Sequence, residues 1–438
     1  MEWFEALILM FGCLIAIMVT GMPISFAFMF TCIMGATLFW GGWSGLDQLA
    51  MSFYSSVANY VFLPIPLFVL MGDVIFASGV GNQIVSAVDK LLGKLPGRLS
   101  LLSIGSGVLL GTMIGISGGS IGILGRTLAP EMVSRGYKPP MIYGPIVGSG
   151  TLAILIPPSA LAVFIGAMGS VSVGKLLMAI LVPGLLLAVM FCGYIIIRCK
   201  IDPSLAPIYE VAKVPLIERV RAFVFYILPV VIVILAVIGS VFAGVATPSE
   251  AAALGVAACM LLAALYRKLT LRIVFRSGMN TVRVTVMIFF IVVGSISFSR
   301  ILATTGAINE LISLATSADI APILIIVFTQ IVLLVLGMFM DPASIVMITA
   351  PIFFPLVREL GYDTLWFAVL SLMNIQLGLI SPPFGLDVYT MKAVAPKEVS
   401  LGAVFRSSIP FWLIGLFFMV LLFIFPSLAT WLPAISGN

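Results

Sequence analysis

The chain repeats its prolines and glycines at a fixed offset of 225 residues. The most telling matches are two proline pairs, Pro157-Pro158 and Pro382-Pro383, each inside a long apolar stretch. Further matches at this offset are Pro23 with Pro248, Pro130 with Pro355, and Gly136-Tyr137 with Gly361-Tyr362. Proline inside an apolar helix frees backbone groups that lipid cannot hydrogen-bond. Matched breaks in two halves are typical of transporters whose site lies at the repeat interface.

Composition places the chain in a membrane. Of its 438 residues, 62% are hydrophobic and 9% are charged, whereas a soluble domain carries about 25% charged residues. Apolar runs of about 18 or more residues recur from end to end, which predicts a polytopic α-helical membrane protein. A transmembrane barrel would instead show alternating segments of about 10 residues. The N-terminus lacks a basic region and a cleavage site, so we expect a first span there rather than a signal peptide.

The chain contains no histidine, and this excludes His-based acid–base catalysis, metal sites and proton relays. The five cysteines lie in or beside apolar spans without CxxC spacing, so we expect neither a metal nor a disulfide role. The net charge of +5 comes from bases in short loops, which indicates membrane orientation. We therefore expect neither an enzyme nor a nucleic-acid-binding protein.

Basic residues predict how the chain crosses the membrane. Arg98 and Arg135 flank the stretch 99–135, and two basic ends on one side indicate a re-entrant hairpin that enters from the cytoplasm. Further along the chain, Arg276 and Arg283 precede a span at about 284–303. Each half then has about five crossings plus a hairpin, and this odd number makes the two repeats inverted, with both termini outside. The main alternative count treats each hairpin arm as a full span.

The predicted organisation has two inverted repeats joined by a cytoplasmic linker. The first repeat, 1–200, comprises scaffold spans in 1–80, an arm at 81–98, a hairpin at 99–135, a broken helix at 139–168 and a span at 176–197. The linker is 201–222. The second repeat, 223–438, comprises scaffold spans in 224–303, an arm at 304–319, a hairpin at 320–360, a broken helix at 364–392 and a span at 403–425.

The first hairpin tip is a predicted Na⁺ site. The tip comprises residues 115–120, and the residues in it predicted to bind Na⁺ are Ser117, Gly118 and Gly119. The adjacent glycines let the backbone turn and approach an ion closely, and the serine hydroxyls and exposed carbonyls are hard oxygen ligands. The alternative interpretation is close helix packing through small residues.

The second hairpin tip contains Asp341 and Ser344 around Pro342. An ionisable residue inside a membrane segment is costly and usually functional, so we predict that Asp341 and Ser344 hold a second cation. The alternative interpretation makes Asp341 a helix N-cap at a water-exposed interface.

The two proline breaks form the other wall of each predicted ion site. Proline frees the carbonyl four residues earlier, and carbonyls of discontinuous helices coordinate Na⁺. A simple kink is the alternative for either break. The residues predicted to take part are Ser149, Pro157, Gly378, Ser381 and Pro382.

Arg126 is the predicted contact for an anionic substrate. It lies nine residues beyond Ser117, and a guanidinium can bind a carboxylate through two hydrogen bonds. The alternative is an interfacial arginine that only reports orientation. The other residues of the predicted substrate site are Ser117, Ser120, Thr151 and Asp387.

Taken together, these motifs resemble the large membrane subunit of tripartite ATP-independent periplasmic (TRAP) transporters. The resemblance covers essentially the whole chain. It rests on GMPISFA (21–27), GISGGS…APEM…RGY (115–137), IPPS (156–159), MDPAS (340–344) and SPPFGLDVY (381–389).

The resemblance implies an elevator-type transporter of the ion transporter superfamily, in the bacterial inner membrane, which carries an organic acid with Na⁺. It also implies two partners, a small four-helix membrane subunit and a periplasmic substrate-binding protein. Many relatives have an Ala- and Thr-rich stretch where this chain has residues 121–126, IGILGR. This departure favours a bulkier acid, such as sialic acid, over a plain dicarboxylate.

Three other functions fit the sequence pattern less well. A stand-alone Na⁺/dicarboxylate symporter would need no binding protein. An ion channel would usually show a filter sequence or rings from identical subunits, whereas inverted broken repeats suit alternating access. An intramembrane enzyme is disfavoured because the chain has no histidine and no paired catalytic motif.

Overall fold

The computed structural model describes residues 3–93, 95–207, 214–317 and 320–435, apart from the side chains of 315 and 316. Within these residues the regular structure is helical, with no β-strand. Seven of the described helices are long and apolar enough to cross a membrane, or eight if one bent pair counts as a single span. The prediction of an all-α polytopic membrane protein is therefore confirmed.

The helices of the first half begin with four in the predicted scaffold region and end with one long span. They are α1 (Trp3–Val19), α2 (Ile24–Phe39), α3 (Trp43–Val57), α4 (Pro64–Ser78), α5 (Val80–Leu91), α6 (Arg98–Ile114), α7 (Ser117–Ser134), α8 (Pro139–Leu155), α9 (Ala160–Met168) and α10 (Val173–Ile201). Short 3₁₀ turns at Tyr60–Phe62 and Pro203–Leu205 precede α4 and follow α10.

The second half follows a similar order. Its helices are α11 (Leu216–Ala222), α12 (Leu228–Phe242), α13 (Pro248–Leu265), α14 (Leu271–Thr304), α15 (Ala307–Ser317), α16 (Pro322–Gly337), α17 (Pro342–Glu359), α18 (Thr364–Gly378), α19 (Leu386–Val394), α20 (Leu401–Ile424) and α21 (Ser427–Ile435). A π-helical turn, Phe223–Ile227, joins α11 to α12.

Helix bounds recur at the 225-residue offset. The arm α7 begins at Ser117 and its counterpart α17 at Pro342, while α8 begins at Pro139 and α18 at Thr364. In both halves a long helix stops before the proline pair and a nine-residue helix follows it. The peptide bond inside each proline pair is cis. The inversion of the halves and the elevator motion stay predictions.

The structure differs from the sequence prediction at several helix ends. The stretch predicted as a linker, 201–222, contains α11, and the span formed by α11 and α12 runs from Leu216 to Phe242. No proline interrupts the chain between Leu216 and Leu228, so the helix extends into the predicted linker. The span predicted at about 284–303 is the end of the 34-residue α14, which includes Arg276 and Arg283. Part of the predicted linker (208–213) and the end of the arm 304–319 (318–319) lie outside the described residues.

The first hairpin turns at Gly115, whose φ of +66° favours glycine. Its first arm is anchored at the other end, where the Arg98 guanidinium lies 2.8 Å from the Asp89 carboxylate and also donates to the carbonyl oxygen of Leu92. This corner joins α5 to α6. The hairpin therefore leaves the arm helix at a defined position.

The two broken helices form the centre of the protein. Every residue of α8 from Met141 to Leu155 is buried, and so is every residue of α18 from Trp366 to Gly378. Hairpin arms cross both helices at backbone contact. A Cβ atom on Gly111 would lie 2.5 Å from the Cα of Ala153, and one on Gly378 would lie 2.5 Å from the Cα of Gly337. Glycine is required at these crossings because any side chain would displace the neighbouring backbone.

Candidate functional site

The first hairpin tip meets the second proline break at a buried carboxylate. The Ser117 hydroxyl, at the start of α7, donates to Oδ1 of Asp387 at 2.7 Å. The Gln376 amide, near the end of α18, donates to Oδ2 at 2.9 Å. We call Ser117, Gln376 and Asp387 the Asp387 cluster. It joins residues 270 positions apart, one from each half of the chain.

Asp387 is held in place by the break itself. Its backbone N–H donates to the carbonyl oxygen of Leu379 at 3.0 Å, across the interruption between α18 and α19. Gly385, at the start of α19, has a φ of +47°. The local backbone therefore turns sharply after the proline pair and directs the first turn of α19 toward the hairpin tip.

The Asp387 cluster lies deep in the protein. Asp387 is 3% exposed, Ser117 4% and Gln376 0%. The ion pairs found among the described residues are Arg98–Asp89 and Arg135–Glu131, and neither involves Asp387. A buried carboxylate without a cationic partner is expensive. The site is therefore electrostatically suited to a cation.

Two further buried oxygen atoms near this tip have no hydrogen-bond partner in the part of the chain that the structure describes. They are Oε1 of Gln376 and Oγ of Ser120. No three His, Cys, Asp or Glu side chains gather around a metal position within the same residues. Ligands for a cation here would therefore be hydroxyl, amide and carbonyl oxygens beside one carboxylate.

The first proline-broken helix supplies a third wall. A Cβ atom on Gly150 of α8 would lie 2.5 Å from Cδ1 of Ile121 and 3.6 Å from Oδ2 of Asp387. The glycine lets α7, α8 and α19 approach one another closely. At the first tip, direct contacts therefore join the hairpin to both proline-broken helices.

The second hairpin tip is arranged differently. Asp341 is the N-cap of α17, and its Oδ1 accepts a hydrogen bond from the Ser344 N–H at 3.1 Å. The Ser344 hydroxyl donates to Oδ2 of the same carboxylate. These bonds match the alternative interpretation of Asp341 as an N-cap. The tip contacts the second break through the rings of Phe339 and Phe384, whose centroids lie 5.5 Å apart.

The hydroxyls at the breaks donate to their own helices. Ser149 bonds to the Ile146 carbonyl at 2.6 Å and Thr151 to the Gly148 carbonyl at 2.7 Å. Ser381 bonds in the same way to the carbonyl of Leu377 at 2.8 Å. Each hydroxyl oxygen keeps lone pairs for other contacts, but these hydrogen bonds do not join the predicted residues to each other.

The backbone positions predicted to bind Na⁺ have varied surroundings. The Gly378 carbonyl accepts a hydrogen bond from the Ser381 N–H at 3.0 Å. Pro157 is buried and Pro382 is exposed, whereas Gly118 and Gly119 are half-buried in the first turn of α7.

Arg126 lies away from the Asp387 cluster. Its side chain is exposed on α7, and nine residues of helix separate it from Ser117 by about 13 Å. The structure therefore does not bring Arg126 together with the other predicted substrate residues.

Two buried amides, Asn374 and Gln376, belong to the region beside the second break, although the sequence prediction includes neither among the site residues. Gln376 contacts Asp387, and the Asn374 amide donates to the Gln330 side-chain oxygen at 2.9 Å. The sequence does contain a signal for these two residues, because an amide inside an apolar helix is costly unless it is hydrogen-bonded. Their partners lie 11 and 44 residues away in the sequence, each on another helix, and no local pattern predicts the contacts.

Comparison with known proteins identifies a family. The family model described as the DctM component of the tripartite ATP-independent periplasmic transporter matches residues 11–428. The C4-dicarboxylate TRAP transporter large permease protein DctM of Pseudomonas aeruginosa is 31% identical over 393 residues, covering 88% of this chain and 89% of that protein. The Rhodobacter capsulatus protein of the same name is 30% identical and covers 98% and 99%. The ectoine TRAP transporter large permease protein TeaC of Halomonas elongata is 25% identical and covers 97% and 98%.

Solved structures show a related fold. The YdaH transporter of Alcanivorax borkumensis aligns with a TM-score of 0.59 at 14% identity, over 88% of this chain and 90% of that one. MtrF of Neisseria gonorrhoeae aligns with a TM-score of 0.61 at 13% identity, over 87% and 84%. The named sequence relatives are transporter permeases, which confirms the prediction that the chain is not an enzyme.

Proposed function

Because the chain belongs to the DctM component family of TRAP transporters, we propose that it takes up an organic acid together with Na⁺. The uptake would cross the bacterial inner membrane by an elevator motion of the hairpins and broken helices. The chain is a multi-pass transporter permease, and Na⁺ enters this proposal as a co-transported substrate.

The Asp387 cluster is the observation that supports this proposal most directly. A buried carboxylate with no ion pair among the described residues favours a nearby cation. The cluster also joins the hairpin of one half to the break of the other. A cation bound there would therefore stabilise the contact between the hairpin tip and the break, and its release would weaken this contact between the two halves. This gives Asp387 a cation role in place of the predicted substrate contact.

The second tip is a less favourable place for a cation than the first. Asp341 and Ser344 hold the first turn of α17, and a half-buried carboxylate costs less to leave without a cation. We propose that a second Na⁺ binds there, near Gly378 and Ser381, with lower affinity. Matched tips at one sequence offset support a pair of ion sites.

We propose that the substrate is an organic acid, with a C4-dicarboxylate and sialic acid as the two candidates. Relatives are named for C4-dicarboxylates and for ectoine, while residues 121–126 favour a bulkier acid such as sialic acid. Arg126 stays a proposed contact for the acid, but its side chain is exposed and lies about 13 Å along α7 from Ser117, so we expect this contact to contribute little to affinity. We also propose a small four-helix membrane subunit and a periplasmic binding protein as partners, since family membership supports a three-part system.

The test is uptake into proteoliposomes that contain this chain with its proposed small subunit. Radiolabelled sialic acid and a C4-dicarboxylate are offered in turn, with the binding protein and an inward Na⁺ gradient each added or withheld. Uptake that requires both additions supports the proposal and identifies the acid. Uptake without binding protein favours the stand-alone symporter. Steady single-channel currents would overturn the proposal.

A further inference from the structure

One face of α14 changes from basic to apolar along its length. Residues spaced three or four apart share a face of a helix, and six such residues form what we call the α14 stripe. They are Arg276, Met279, Arg283, Val286, Phe290 and Val293. The two arginines stand toward the N-terminal end, and the residues beyond them are apolar. A ligand that lies along this face would itself need one charged end and one apolar end.

The basic end of the stripe opens into a cavity of about 550 Å³ between α4 and α14. Arg276 and Arg283 line it, and neither forms an ion pair within the described residues. Asp73 also lines it and accepts a hydrogen bond from the Asn280 amide at 2.6 Å. Two guanidinium groups against one carboxylate leave this cavity with a net positive charge.

A buried hydroxyl supports an anionic occupant for this cavity. Ser277 lines the cavity, is 1% exposed, and its Oγ has no hydrogen-bond partner in the described part of the chain. A buried donor without a partner is costly. A phosphate oxygen would accept from Ser277 and from both guanidinium groups, which bind phosphate in a planar, two-point geometry.

The apolar end of the stripe lines a groove of about 460 Å³. Its other walls are Met29 of α2 together with Phe53, Tyr54 and Val57 of α3. Val286 is 51% exposed and Phe290 40% exposed, so the groove is open along its side. Arg283 and Val293 are ten positions apart, which is about 15 Å of helix and about one leaflet of the bilayer core.

We propose that the α14 stripe binds an anionic phospholipid, with its phosphate between Arg276 and Arg283 and an acyl chain in the groove. The two arginines favour an anionic headgroup, and the apolar groove favours an acyl tail. A transported organic acid would fill the basic cavity but has no tail for the groove. A partner helix would cover the groove but leave the arginines and the Ser277 hydroxyl unmatched. Basic pockets between membrane helices bind anionic headgroups on the cytoplasmic side, and basic residues are enriched on that side of membrane proteins.

Native mass spectrometry of the purified, delipidated full chain tests this proposal without any transport assay. The protein is incubated with phosphatidylglycerol or phosphatidylcholine, and the retained lipid is counted. We expect phosphatidylglycerol to be retained at concentrations where phosphatidylcholine is not. The double variant R276Q/R283Q should need about tenfold more phosphatidylglycerol, whereas R406Q, which removes an exposed base on α20, should behave as wild type. Equal retention by wild type and R276Q/R283Q would overturn the proposal.

A second variant tests the tail site with the arginines intact. Val286→Trp fills the groove, and we expect it to lower phosphatidylglycerol retention while the helical circular dichroism stays unchanged.

Competition is then measured with succinate and with inorganic phosphate at the same concentration as the lipid. Displacement of the lipid by succinate but not by phosphate would overturn the proposal in favour of a site for the acid.

Discussion

The two hairpin tips stand at corresponding places in the sequence but make different contacts. At the first tip, Ser117 donates across the molecule to Asp387, which is buried and without an ion pair among the described residues. At the second tip, Asp341 binds the first turn of its own helix and is half-buried. The repeated backbone thus presents two similar tips, and the side chains decide which tip has a buried, unpaired charge.

The helix crossings beside the tips differ in the opposite sense, with the side-chain hydrogen bond in the second half. In the first half, Gly107 lets the Ser149 side chain of α8 lie directly against α6. In the second half, the corresponding crossing adds a side-chain hydrogen bond from Asn374 to Gln330. Close approach of the helices is common to both crossings, whereas the hydrogen bond between two buried amides is found at the second crossing.

The largest expected effect comes from removing the buried charge. Asp387→Asn keeps the shape of the side chain but cannot attract a cation in the same way. Loss of one partner of a buried charge pair costs about 3 kcal/mol or more, so the Na⁺ concentration for half-maximal uptake should rise about a hundredfold. The measurement is initial uptake rate against Na⁺ concentration. An unchanged Na⁺ dependence would remove Asp387 from the ion site.

Packing at the helix crossings should give the next largest effect. Gly378→Ala places a Cβ 2.5 Å from the Cα of Gly337, and such overpacking costs about 1–3 kcal/mol. Gly402→Ala is the matched control, because its Cβ would meet nothing within 4 Å. The midpoint of thermal unfolding in detergent reports both variants. Equal midpoints for Gly378→Ala and Gly402→Ala would show that the crossing is looser than the structure indicates.

Substitutions at the second tip should affect uptake less. Two substitutions of Asp341 distinguish a helix-capping role from an ion-binding role. Asp341→Ala removes the N-cap and should cost about 1 kcal/mol of stability, whereas Asp341→Asn should be nearly neutral because asparagine also caps helices. We expect Asp341→Asn to weaken Na⁺ dependence by less than Asp387→Asn does. If Asp341→Asn has the larger effect on Na⁺ dependence, the ranking of the two tips is reversed.

The smallest expected effect is that of Arg126→Ala. The side chain is exposed and about 13 Å along α7 from Ser117, and exposed substitutions usually change free energies by about 0.5 kcal/mol or less. We expect the substrate concentration for half-maximal uptake to change by about twofold at most. A rise of about tenfold or more would place the acid at Arg126, away from the Asp387 cluster.

Much of the architecture was predictable from local features. The tips, the breaks and the hairpin arms follow from glycine and proline positions, because these residues act on the backbone where they stand. Helix ends were less predictable. The sequence pattern predicts a linker where α11 begins at Leu216, and it predicts a span that begins only after the N-terminal part of α14.

The sequence by itself determined that this is a helical membrane protein with paired breaks and paired tips, since composition and backbone constraints are local properties of the chain. Only the tertiary structure decided that Ser117 and Gln376 bond to Asp387 while Asp341 caps its own helix. The reason is physical. A hydrogen bond between residues 270 positions apart depends on how packed helices place their side chains, and no local pattern encodes that placement.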